Sequence, residues 1–167
     1  MAIRNIAYGT DIDLTLALAS LATHAGLLIG RASTAVVNTS TLAIDYLIGG
    51  KITTGTSPTA SKSIEVWVYA AFDDGPTYPD SITGTDAGKT MTSTDIKVTA
   101  LALAAVLPTD STSNRTYHFA GISLASLFGG RCPAAFGVFV VHDTGVALHA
   151  TAGNHQISAR PITETIA

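Results

Sequence analysis

The sequence predicts an all-β protein, an antiparallel β-sandwich, on three observations. Apolar and polar residues alternate with a period of two over several short stretches, turn residues punctuate those stretches, and almost nothing has helical spacing. Residues 62–72 are the clearest case. Ile64, Val66, Val68, Ala70 and Phe72 fall on one face, and Glu65, Trp67, Tyr69 and Ala71 on the other. Both faces are mostly apolar, so this strand is expected at the centre of a sheet with material packed on each side.

Taken in order, residues 1–10 read as an N-terminal arm. Ile12, Leu14, Leu16 and Leu18 alternate with Asp13, Thr15, Ala17 and Ala19. A helix through Leu14, Leu18 and Leu21 competes, but a strand agrees better with the β-like remainder. Residues 31–38 form a short strand. Another starts at Ile44, Tyr46 and Ile48 and runs to Thr54 through Gly49-Gly50, a pair that suggests a bulge. Residues 73–94, rich in Gly and Pro, are a long loop, and loops beyond about 12–15 residues are usually functional. It is the expected segment for reaching a neighbour. Residues 96–107 and 115–121 are further strands.

Residues 123–128 give one short helical turn, with Ser123 as cap and Gly129-Gly130 as stop. Residues 135–142 are a buried strand, and Asp143-Thr144-Gly145 turns into a strand at 146–150. Residues 156–163 close the chain, with Pro161 suggesting an edge. The eight or nine strands make one domain over 1–167, with a jelly roll as the expected topology. The pattern leaves strand order open.

Charged residues are only 13% of the chain, against about 25% in ordinary soluble domains. A surface so poor in charge suits one covered by copies of itself or by a larger body. The net charge of −3 and the absence of a Lys/Arg run argue against a nucleic-acid partner. Residues 14–22 are too short to span a bilayer, and the acids before them are wrong for a secretory signal, so no membrane partner is expected. Asn38-Thr39-Ser40 and Asn114-Arg115-Thr116 match the glycosylation pattern by accident on this reading. Cys132, the only cysteine, excludes an intrachain disulfide and is expected in the core.

No motif specifies chemistry. Asp143-Thr144-Gly145 matches the aspartic-protease tripeptide, but its flanking residues are wrong and Asp-Thr-Gly also suits a hairpin turn. Residues 84–90 resemble a phosphate-binding loop that is one residue short and lacks its strand and helix. His142, His149 and His155 lie within reach of one end of the sandwich, with a spacing that fits no short metal motif. Trp67 and Tyr69 share a face that either packs under a second sheet or a neighbouring subunit, or stacks on a sugar ring. The chain is therefore expected to be no enzyme, with no catalytic, cofactor-binding or metal-binding residues.

Several segments resemble small β-sandwich structural proteins of tailed bacteriophages: residues 30–38 (Gly-Arg-Ala-Ser-Thr-Ala-Val-Val-Asn), 51–58 (Lys-Ile-Thr-Thr-Gly-Thr-Ser-Pro), 64–69 with Tyr78-Pro79-Asp80, Leu127-Phe128-Gly129-Gly130, and Asn154-His155. The similarity runs from about residue 12 to the C-terminus and is structural in character. It implies a virion component, a capsid decoration or cement protein on the phage head, assembled in the host cytoplasm, with the major capsid protein and itself, as a homotrimer, for partners. Two alternatives remain open on the residues: a carbohydrate- or receptor-binding module using the Trp67-Tyr69 face, and a phage tail component.

Overall fold

Strand β6 (Lys62–Ala71) is the centre that its alternation predicts, hydrogen-bonded to β10 (Ala135–His142) on one side and β8 (Ala102–Thr109) on the other. The computed structural model describes residues 4–73 and 75–166. The remaining strands are β1 (Arg4–Tyr8), β2 (Ile12–Asp13), β3 (Ile29–Ala32), β4 (Val36–Val37), β5 (Asp45–Thr53), β7 (Ala87–Thr90), β9 (Thr116–Ser123) and β11 (Gln156–Ile166). Helices α1 (Thr94–Ala100) and α2 (Leu124–Leu127) and a 3-10 turn (Ala152–Asn154) complete the described elements.

Two antiparallel sheets result. The first runs β1–β11–β5–β9, with β2 also on β11; the second runs β7–β3–β10–β6–β8, with β4 also on β10. Tyr46, Ile48 and Ile52 of β5, Phe119 of β9 and Ile157 and Ala159 of β11 face Ile64, Val66 and Val68 of β6 and Phe136, Val138 and Val140 of β10. Burying each large side chain contributes roughly 1.5–3 kcal/mol. Every residue of β10 is buried, because the second sheet is covered on its outer side too. There Trp67, Tyr69, Phe139 and Val141 meet Ile82 and Met91 from the loop after β6 and Leu101 from the end of α1.

The bulge at Gly49-Gly50 is present as a register shift between Ile48 and Gly50. A Cβ at Gly50 would run into the backbone of Gln156 and Ile157 on β11, so the strands approach there only without a side chain. The helical turn at α2 is also as expected, with the Ser123 hydroxyl accepting from the Ser126 amide at 3.1 Å.

Several expectations need correction. Residues 14–19 form no strand: only Ile12 and Asp13 enter a ladder. The segment instead crosses between sheets, its Leu14 amide donating to Ile157 and its Thr15 carbonyl accepting from Thr34. Residues 96–107 are a helix and then a strand, because the Ser93 hydroxyl caps the Ile96 amide at 3.1 Å and starts α1. Residues 146–150 contribute only a bridge from Leu148 to Thr54. Strand 31–38 is broken between β3 and β4, and Phe72 lies past the end of β6, 62% exposed against Phe128.

Pro161 is not on an edge strand, since β11 pairs on both sides. Its carbonyl accepts from Gly9, so its missing donor points to the side where the β1 ladder has just stopped, and the Gly9 carbonyl takes a bond from Arg160 Nε instead. The rule about proline holds for the ladder position rather than the whole strand.

Candidate interaction surface

The Trp67-Tyr69 face is interior. Trp67 is 6% exposed and Tyr69 fully buried. The Tyr69 hydroxyl donates to the Ser33 carbonyl at 2.6 Å, and burial pushes its pKa to about 12. The Trp67 indole N–H donates to Glu65 Oε2 at 2.8 Å, and Lys97 Nζ sits 2.9 Å from the same oxygen and 4.7 Å from the indole centroid. A sugar ring finds no aromatic platform there. The covering is the loop of residues 73–94, expected to reach outward: its Tyr78, Ile82 and Met91 pack back on the sheet and its residues 87–90 are β7.

The same folding accounts for residues 84–90. Asp86 Oδ1 bonds Arg31 Nε at 2.6 Å and accepts from the Ala17 amide; burial pushes this carboxyl up, but those bonds outweigh it and hold it below the ordinary range. Asp143 is paired with Lys62 at 3.1 Å and accepts from the Ser63 amide at 2.8 Å, which fixes a turn closed by Gly145 at φ +80°. Both acids tie segments together.

The three histidines do gather at one end, as backbone braces. His142, wholly buried, has Nε2 3.0 Å from the Leu21 carbonyl and Nδ1 3.0 Å from the Thr144 hydroxyl. His155 Nε2 meets the His149 carbonyl at 2.8 Å, and His149 Nδ1 bonds Asn154. Among the described residues no group of three His, Cys, Asp or Glu is placed to hold a metal ion. Burial holds His142 and His155 below the usual imidazole value of about 6.5. The unfolded chain therefore takes up these protons first as the pH drops. Stability is complete above about pH 6.5 and declines below it until the folded-state values are reached. Denaturation midpoints measured from pH 7.5 to 5 are expected to fall, and the fall to shrink in His142→Gln.

Cys132 is half-buried at the rim of the core, and burial pushes its thiol up to about 11, leaving it a poor nucleophile. The Asn38 side chain is buried, clamped to both backbone groups of Ala43 at 2.9 Å and to the Tyr46 hydroxyl at 3.0 Å, so it offers no glycan site. No helix of the described residues is long and apolar enough to cross a membrane.

What remains notable is the exterior. Large apolar side chains stand exposed on edge strand β1 (Ile6, Tyr8), on α1 (Ile96, Val98), on edge strand β8 (Leu103, Val106), and at one end of the sandwich (Leu42, Ile44, Phe72). Between residues 96 and 109 the only charged side chain, Lys97, is buried. Sheet edges are ordinarily blunted by exposed charge; β8 carries none. At the sandwich end, Leu42, Ile44, Phe72, Arg131, Cys132 and Pro133 line an open hollow of about 630 Å³. This hollow leaves little sign in any local stretch, since its residues come from three separate segments. No family model, curated protein or solved structure matches the chain.

Proposed function

We propose that this chain is a non-enzymatic virion structural protein, a capsid decoration or cement protein that self-associates on a phage head and strengthens the shell. The observation that carries the reading is the weakly charged exterior with apolar side chains on two edge strands and one end, a surface suited to being covered by protein. Asp86, Asp143, His142 and His155 serve as braces, which supports a structural role. The strand order adds support: joining β1 with β2 and β3 with β4, and setting β7 aside, leaves eight strands in the orders 1-8-3-6 and 2-7-4-5. We read that order as a jelly roll, an architecture used in viral capsid and lectin domains. Fold alone does not assign function; the surface does the rest. A trimer is the assembly we favour, with the major capsid protein beneath it.

The test is to mix purified protein with DNA-filled heads lacking it. The expected result is saturable co-sedimentation and release of DNA at a higher temperature. Heads that bind none of it at micromolar concentration and lose DNA at an unchanged temperature would overturn the reading.

A further inference from the structure

We infer that the two-stranded ribbon formed by the ends of the chain is an assembly arm that seats in the apolar hollow of a second copy, an inference that rests on the self-association proposed above. The ladder between β11 and β5 ends at Ile162 opposite Asp45, whereas β11 continues to Ile166 paired with β1 alone. Beyond Ile162 the two strands therefore leave the sandwich as a ribbon. Every residue of β1 is exposed. A lone two-stranded ribbon is at best marginally stable in water, so this one needs cover. One face supplies the material: Ile6 (68% exposed) and Tyr8 (61%) lie opposite Glu164 and Ile162.

The hollow is the matching half. Leu42 is 73% exposed and holds φ +50°, in the left-handed region that disfavours residues with a side chain. The Asn38 clamp on Ala43 keeps it there, and strain of this kind marks positions held for a purpose. The Ile44 amide donates to the Ile162 carbonyl at 2.8 Å, so the hollow begins where the ribbon departs. Ribbon and hollow thus sit at one end of each copy, and a rotation can bring one copy's ribbon onto the next copy's hollow, a head-to-tail contact that closes into a ring.

Charge identifies the occupant as another copy. Among the described residues, Arg131 is the only ionised side chain lining the hollow, and no carboxylate lies within 4.0 Å of it. Glu164 is the carboxylate of the ribbon's apolar face, and its described ionic partner is Arg4, whose side chain is 75% exposed. Arg131 of one copy and Glu164 of the next make a complementary pair across an apolar contact.

Sedimentation velocity of the full chain tests this with a charge swap. Arg131→Glu and Glu164→Arg each set like charges against each other, and each is expected to raise the concentration for half-dissociation roughly tenfold or more. The double variant is expected to return to near the parent value, while circular dichroism confirms that all three are folded. Ile6→Ser, an exposed change that alters no charge, is expected to weaken association as well. A parent chain that associates while the three single variants associate equally well would overturn the arm and leave the structural role standing. A parent that stays monomeric at high concentration would overturn both.

Discussion

Lys97→Ala is expected to destabilise the fold by about 3–5 kcal/mol, the usual cost of removing one member of a buried ion pair. The Lys97 side chain is 4% exposed and that of Glu65 16%. Lys97 Nζ donates to Glu65 Oε2 and, at 2.8 Å, to the carbonyl of Leu27, while lying over the Trp67 ring. It fastens α1 and the turn near residue 27 to the outer face of β6. Without it, the Glu65 side chain is left in a site that water reaches poorly, with only the indole N–H as donor. The pair Lys97→Met with Glu65→Gln removes both charges, keeps an acceptor for Trp67, and is expected to recover most of the loss. Urea denaturation of the three variants measures this. A loss under 1 kcal/mol for Lys97→Ala would mean that α1 does not depend on the pair.

Tyr69→Ala is expected to cost about 3–5 kcal/mol, as for other large aromatic truncations in cores. Its ring lies across Gly137, the residue opposite it on β10, and a Cβ at that glycine would fall inside the ring. Gly137→Ala alone is therefore expected to cost about 1–3 kcal/mol by overpacking. The two changes act on one space in opposite directions. In the Tyr69→Ala background, Gly137→Ala should cost far less than it does alone, a coupling readable from a double-mutant cycle. Additive effects would show that the ring does not need the glycine.

Much of the sandwich was legible because burial on both faces leaves a mark in the chain. Residues of β6 and β10 are apolar on alternate and on adjacent positions, and Ser123 with Gly129-Gly130 frames a helix too short to be anything else. Misreadings arose where local pattern and tertiary demand part. Ile96, Val98 and the alanines and leucines after them read as one strand, but the Ser93 cap turns the first half into a helix whose Lys97 is needed under its own surface. Leu14 and Leu18 are buried as the pattern implied, yet the segment spends its hydrogen bonds on both sheets in turn and so joins neither ladder. The loop after β6 looked free because Gly, Pro, Thr and Asp dominate it, while its three packing residues, Tyr78, Ile82 and Met91, are spaced irregularly. The expected N-terminal arm at residues 1–10 contains β1, a strand exposed along its whole length. Its pairing with the other end of the chain, and the hollow built from residues 38–44, 72 and 130–134, depend on topology that no local stretch records.

The account stands on the claim that this exterior is made to be tiled over a shell. Imaging of the phage particles proposed above to carry the chain, with the protein tagged by a bound antibody, addresses it most directly. Copies repeating across the head surface are the predicted result. Particles that carry it only on the tail, or not at all, would contradict the account.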